Sequence, residues 1–194
     1  MRHALCALHL SITNAERITK QMTNAEAVKF LEERHAAFLA TVAGIDQATS
    51  QKQPAPGEWS VGEIVHHVIM IEHTIRRLIH GLRWRVMGEK TGGAHKPVNL
   101  EKVGQRVGRV KTMRRFIPSH GQSLQTLLEK FERERQKTIK LARHANLEKL
   151  RRRAFRHYIL GAMNGEEWLL FNGHHQERHR RQIEEVLQRL TSKT

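Results

Sequence analysis

Histidine is the residue type with the most chemical potential in this sequence, at 14 of 194 residues. His175 and His179 lie four residues apart on one stripe of a predicted helix, together with Phe171, Ile183 and Leu190. Because residues i and i+4 project from the same side of a helix, both imidazoles interrupt an apolar face. This is the spacing by which one helix can give two ligands to one metal ion.

A second predicted helix repeats this arrangement. His67 lies on its apolar stripe between Ile64 and Ile71, whereas the neighbouring His66 lies nearer the polar side with Glu63. The spacing therefore favours His67 as the inward-facing histidine. The inward residues of the two helices are His67, His175 and His179, and their imidazoles are predicted to converge.

A buried neutral imidazole needs partners for both nitrogens. A shared divalent metal would satisfy all three inward histidines, and the alternative is three core histidines with separate hydrogen-bond partners. His35, on the stripe of the first predicted helix, is a fourth candidate ligand. Alternatively, it is a core histidine or part of a pocket wall. His174 is predicted to face solvent beside Arg178.

Imidazole ligands suit zinc, nickel and other divalent ions, with zinc or nickel favoured. An ion held by three imidazoles keeps open positions, where a thiol or water loses a proton more easily. The only cysteine is Cys6, which excludes an internal disulfide, so a nucleophilic thiol would enter as a low-molecular-weight cosubstrate. Glu63 and Glu72 are predicted to face the surface, leaving hydrolysis without an evident general base.

Four long helices are predicted to position these residues, at about 24–44, 60–86, 122–145 and 165–191. Capping-box spacing marks three of the starts, and the four prolines all lie outside these segments. The connector 88–121, with a short predicted helix near 99–113, is long enough for the chain to return along the length of a helix. Residues 146–163 are predicted to be irregular. With no strand pattern, the prediction is an all-α four-helix bundle, ordered up-down-down-up, with a long crossover between helices 2 and 3.

The domain prediction is a single bundle over residues 23–191. Residues 1–22 are predicted to be a poorly ordered or weakly helical extension, and 192–194 a tail. No run reaches the roughly 18 apolar residues of a membrane span, and a cytoplasmic location is expected. Trp59 and Trp168, each beside a helix start, are predicted to wedge the bundle ends rather than to act in catalysis.

The net charge of +15 falls entirely within residues 61–194, because residues 1–60 balance to zero. Basic runs at 106–115, 133–143 and 149–157 could contact phosphates, which makes nucleic-acid binding without catalysis the alternative function. However, no zinc-finger, RNP or helix-turn-helix pattern accompanies them. A small-molecule substrate, anionic in keeping with the basic surface, is the favoured partner, and the sequence leaves a homodimer open.

Two segments resemble the motifs of one known family, the DinB-like (damage-inducible B) metalloprotein superfamily. In GEWSVGEIVHHVIMIEHT, residues 57–74, the histidine eight residues after the tryptophan corresponds to a family ligand, and here it is His67. In residues 157–186, the family pattern of Trp-Leu-x-Phe, HxxxH and Gln-Ile matches Trp168, His175, His179 and Gln182, although Tyr158 stands where the family usually has proline.

The resemblance covers about residues 23–191 and implies a four-helix bundle with a three-histidine metal site. It implies His67, His175 and His179 as ligands, the same three that periodicity selects. Members of the superfamily include S-transferases and isomerases that use bacillithiol, mycothiol or glutathione. A metal-dependent, thiol-dependent transferase is therefore the expected function, with a metal-dependent hydrolase as the alternative.

Overall fold

The computed structural model describes residues 21–84, 86–91, 95–106 and 110–192. Four long helices dominate it: α1 (Asn24–Val42), α3 (Val61–Arg83), α5 (Leu124–His144) and α7 (Gly165–Thr191). The short helices are α2 (Gln47–Gln51), α4 (Glu101–Gly104) and α6 (Leu147–Arg151), with a 3-10 turn at Arg114–Phe116. Of the predicted extension 1–22 and tail 192–194, only residues 21, 22 and 192 lie within the described ranges.

The helix starts follow from local sequence. Reciprocal capping boxes form at the beginning of α1, α3 and α7, where a side-chain oxygen accepts from the N3 amide and the N3 glutamate accepts from the cap amide. The pairs are Thr23–Glu26, Ser60–Glu63 and Asn164–Glu167. Each box satisfies two amides that have no partner within the helix, and so it fixes where the helix begins.

The bundle has the up-down-down-up order that the long crossover predicts. Helix α1 runs parallel to α7 and antiparallel to α5, whereas α3 runs parallel to α5 and antiparallel to α7. Helix α1 contacts α7 through Phe30–His174 and His35–Gln176, and it contacts α5 through Asn24–Ala142 and His35–Glu132. Helix α3 contacts α5 through Gly62–Leu127 and Glu72–Arg135. It contacts α7 through His67–His179, and Glu58, which precedes α3, pairs with Arg189. The helix pair that provides the histidines, α3 and α7, is thus adjacent.

The prediction of no strands is wrong, because a small antiparallel sheet covers one end of the bundle. Its order is β1 (Glu89–Lys90), β2 (Arg153–His157) and β3 (Gly161–Asn164). The segment RAFRH of β2 has no β-branched residue and one aromatic residue, Phe155, so propensity gives only a weak strand signal. At Gly88, φ is 74°, and a Cβ would lie 2.6 Å from the Ala154 carbonyl oxygen, so only glycine permits β1 to approach β2.

The core consists of two hydrophobic clusters with a polar level between them. One cluster contains Leu31, Ile75, Ile139 and Phe171, and the other contains Phe38, Val68, Phe131 and Ile183. Between them, all four bundle helices bury polar side chains, and we call one residue from each helix the polar layer: His35, Glu72, Arg135 and Gln176. No helix within the described ranges is long and apolar enough to cross a membrane.

Candidate metal centre

The helix α3 brings His67 into the interior. Its side chain is only 3% exposed. Its Nδ1 lies 2.8 Å from the carbonyl oxygen of Phe116, at the end of the 3-10 turn in the long crossover. Since a carbonyl can only accept, Nδ1 carries the proton and donates. The lone pair of Nε2 is therefore free to bind a metal ion.

The helix α7 supplies the other two histidines from successive turns. The Nδ1 of His179 lies 2.8 Å from Oε1 of Gln182, to which it donates, so its Nε2 also presents a lone pair. The Nε2 atoms of His175 and His179 are 3.1 Å apart. Two nitrogens bound to one ion at about 2.0–2.1 Å in tetrahedral geometry lie roughly 3.3 Å apart, which is close to this spacing.

His67, His175 and His179 come together as one group. Their ligand nitrogens all lie within 4.8 Å of one another. The ring centroid of His67 is 5.4 Å from that of His175 and 4.8 Å from that of His179. Among the described residues, no carboxylate or thiol joins this group. We call these three residues the histidine cluster.

The histidine cluster is neutral near pH 7. Burial lowers the pKa of His67 to about 4, although the hydrogen bond to Phe116 acts in the opposite direction. Burial also lowers the pKa of His175 and of His179 well below the usual value, and the neighbouring imidazoles lower each further. Neutral imidazole is the form that coordinates a metal ion, so the donor set fits a divalent cation.

Aromatic side chains surround the histidine cluster. The Trp59 ring lies 4.9 Å from His67, and the Phe171 ring stacks on His175 at 5.4 Å. His67 and His179 are buried, whereas His175 is partly exposed. His175 is therefore the member of the histidine cluster that solvent reaches, although the Phe171 ring covers one face of it.

Two arginines, Arg178 and Arg106, place positive charge near the histidine cluster. Arg178 follows His175 by three residues on α7, is partly buried, and helps to lower the pKa of both His175 and His179. Arg106 also acts on the pKa of His179, and its Nε donates to Glu185 at 2.7 Å. The Glu185 carboxylate offsets part of this charge, since it pairs with Arg106 and also acts on Arg178. A small anion near the histidine cluster would therefore meet two guanidinium groups and one carboxylate, which leaves a net positive field.

The structure separates the other candidate histidines from the cluster. As predicted, His66 lies on the polar side, where the Ser119 amide and Gln122 bond to its Nδ1. His35 belongs to the polar layer and donates from Nε2 to Glu132 at 2.6 Å. The prediction that His174 faces solvent is only partly correct: the residue is partly exposed, but α1 covers this side of α7 and the His174 ring packs 4.9 Å from Phe30.

The prediction that Glu63 and Glu72 face the surface is also wrong. Glu63 is buried because its carboxylate completes the capping box and accepts from the Ser60 amide at 2.8 Å. Glu72 is 2% exposed because α5 packs against it and supplies Arg135, 3.1 Å away. The amino-acid sequence gives no sign of the hydrogen-bonding role of Phe116, since every residue type carries the same backbone carbonyl. The role of Gln182 as a partner of His179 was detectable only as part of the matched Gln-Ile motif.

Comparisons with known proteins agree with the four-helix fold. The chain matches the family model of the DinB superfamily over residues 17–183. It is similar to the crystal structure of TT2238, a four-helix bundle protein, with a TM-score of 0.58 and 20% identity over 84% of this chain and 99% of that one.

A second solved structure is similar to the same extent. It is that of YfiT from Bacillus subtilis, described as "a probable metal-dependent hydrolase with an unusual four-helix bundle topology". The TM-score is 0.58 and the identity 17%, over 94% of this chain and 91% of that one. No curated protein matches the chain.

Proposed function

Because the chain belongs to the DinB superfamily, matching its model over residues 17–183, we propose that it binds a divalent metal ion through His67, His175 and His179. The observation that carries the proposal is the convergence of three neutral imidazoles within 4.8 Å, two of which have the outer nitrogen held by a hydrogen bond. Zinc and nickel are the proposed ions, since both accept imidazole ligands.

We further propose that the protein is a metal-dependent enzyme. A divalent ion with three protein ligands keeps free coordination positions and lowers the pKa of a thiol or water that reaches them. The chain holds two of the rings in place through Phe116 and Gln182, which fixes where those positions point. The partial exposure of His175 supports access by a small molecule.

Transfer of a thiol sulfur is the favoured reaction. A free thiol ionises at a pKa of about 8.5, far below water, and so depends less on a general base. No carboxylate joins the histidine cluster among the described residues, which suits a thiol. In the proposed step, the sulfur of the cosubstrate forms a bond to an electrophilic carbon, the leaving group departs with its electron pair, and the thiol proton passes to solvent.

The proposed substrates are small and anionic. Arg178 and Arg106 favour a thiol that carries carboxylates, such as glutathione, bacillithiol or mycothiol. The basic run 149–157 is less suited to nucleic acid than its composition suggests, because Arg151 pairs with Glu166 and Arg152 with Glu148. The homodimer stays a prediction, which light scattering can check.

Hydrolysis is the second candidate function, and the description of YfiT favours it. To separate the two, the purified protein is loaded with Zn²⁺ or Ni²⁺ and its metal content is measured. It is then incubated with glutathione and 1-chloro-2,4-dinitrobenzene, or with p-nitrophenyl acetate. We expect one metal ion per chain and metal-dependent loss of free thiol. Ester hydrolysis without thiol transfer would favour the second function, and a metal content of zero would refute both.

A further inference from the structure

The polar layer is placed where a four-helix bundle normally has apolar residues. Arg135 is fully buried, Glu72 is 2% exposed and Gln176 is fully buried. Taking a guanidinium and a carboxylate out of water carries a large desolvation cost, and burial lowers the pKa of Arg135 accordingly. A layer of this kind contributes little to stability compared with apolar side chains of similar volume.

The contacts within the polar layer join specific helices. The Nη2 of Arg135 lies 3.1 Å from Oε2 of Glu72 on α3 and also donates to Oε1 of Gln176 on α7. The amide of Gln176 lies 3.5 Å from Nδ1 of His35, whose Nε2 donates to Glu132. Arg135, on α5, therefore connects the two helices that carry the histidine cluster.

These connections lie close to the histidine cluster in sequence. Gln176 directly follows His175, and Glu72 follows His67 by five residues. A residue on a helix is rotated by about 100° from its neighbour, so holding the Gln176 amide also fixes the direction of the His175 ring. A side-chain atom about 5–6 Å from the helix axis moves about 1 Å when the helix turns by 10°. Metal–ligand distances tolerate only about 0.2 Å.

We propose that Arg135 is a positioning residue for the metal centre: by binding Glu72 and Gln176, it sets the rotation and register of α3 relative to α7, so that the three imidazoles converge. The inference rests on the proposed metal-binding function. It assigns the buried charge pair to the geometry of the site rather than to the stability of the fold.

The decisive experiment removes the polar layer without leaving a buried charge. The triple variant Glu72→Leu/Arg135→Met/Gln176→Leu replaces three polar side chains by apolar ones of similar size. Co²⁺ serves as the probe, because its visible absorption reports coordination geometry. We expect the metal-free triple variant to melt at or above the parental temperature, to bind Co²⁺ at least 10-fold more weakly, and to show an altered absorption band.

A matched control separates positioning from stability. Ile139→Val changes the core on the same helix one turn after Arg135. We expect it to melt at a lower temperature and to bind Co²⁺ with the parental affinity and spectrum. If the triple variant does not fold, Gln176→Leu alone gives the answer, because it leaves the Arg135–Glu72 pair in place and removes the contacts of α7 with Arg135 and with His35. We again expect weaker binding.

The outcomes are distinguishable. A parent protein that binds no Co²⁺ overturns the proposed function and this inference with it. A parent that binds Co²⁺, together with a folded triple variant of equal affinity and spectrum, overturns the inference alone. Equal affinity in Gln176→Leu would overturn it in the same way.

Discussion

Polar side chains interrupt the buried faces of α3 and α7 in two places, and the two places are satisfied differently. In the polar layer, unlike groups meet: Arg135 faces the carboxylate of Glu72 and the amide oxygen of Gln176. In the histidine cluster, like groups meet: the Nε2 atoms of His175 and His179 face each other, and His67 completes the group.

This difference separates charges that the chain balances within itself from lone pairs that it leaves open. The balance in the polar layer is one of charge, because Oε1 and Oε2 of Glu72 and Nε and Nη1 of Arg135 have no hydrogen-bond partner among the described residues. A positive and a negative side chain compensate each other inside the protein, although at a desolvation cost. Three neutral imidazoles offer lone pairs to a common point, and only a cation can accept all three at once. Burial alone would not distinguish the two regions, because both contain side chains that are almost fully buried.

The largest expected effect on stability comes from removing one charge of the buried pair in the polar layer. Arg135→Met alone leaves the Glu72 carboxylate buried without its cation, so we expect the free energy of unfolding to fall by about 3–5 kcal/mol. Urea unfolding of the metal-free protein measures this. Lys137→Met on the same helix is the control, because that ammonium is exposed, and its change should stay within about 1 kcal/mol. Equal losses would show that the charge pair has no special role.

The two regions should also respond to acid over different pH ranges. In the metal-free protein, the pKa of His67 is about 4, below the ordinary 6.5, so the unfolded chain binds more protons. The stability from this group is present above pH 6.5 and is lost as the pH falls towards 4, by about 3 kcal/mol. Chemical unfolding with a chelator at pH 7, 5.5 and 4 should show this decline, and His67→Ala should reduce it.

Glu134, which precedes Arg135 on α5, should change its protonation state at a lower pH than His67 does. Burial would raise its pKa, but Lys137, His73 and Arg76 together hold the pKa at about 2. Its contribution is present above its unfolded pKa of about 4.5 and is lost as the pH falls towards 2. Glu134→Gln should therefore flatten the stability profile only below about pH 4.5. A change confined to pH 5.5–7 would contradict this assignment.

Removal of one ligand should affect metal binding more than folding. His179→Ala leaves two imidazoles, and we expect the affinity for Zn²⁺ to fall at least 100-fold, which is about 2.7 kcal/mol. His174→Ala should retain the metal and lose about 1 kcal/mol of stability, because its ring packs on Phe30. Competition with a coloured chelator gives the affinities. Parental Zn²⁺ binding by His179→Ala would end the three-histidine model.

The smallest effect is expected at His66, next to a proposed ligand in sequence. His66→Ala removes hydrogen bonds to Ser119 and Gln122 at a partly exposed position, so we expect a loss of about 0.5–1 kcal/mol and unchanged Zn²⁺ affinity. Thermal melting and the same competition assay test both. A loss of metal here would mean that the comparison assigns the wrong histidine of the pair to the site.

Much of the bundle could be predicted because its signals are local. The capping boxes set the helix starts, and a period of 3.6 placed His67 inward and His66 towards the polar side. The wrong predictions concern residues whose burial depends on contacts with other helices. The residues next to His174 in the sequence do not indicate that α1 covers it. The burial of Glu72 depends on Arg135, which belongs to another helix. The strands were missed because β2 relies on pairing with its neighbours rather than on propensity.

The crossover between α3 and α5 also has a consequence for the order of folding. His67 and His175 are roughly 100 residues apart in the chain, so the histidine cluster forms only when a very long loop is closed. A metal ion bound there would act as a reversible cross-link between the second and the last bundle helix. Since α7 follows the other three bundle helices in the chain, it leaves the ribosome after them, and we expect metal capture only once all four have been synthesised.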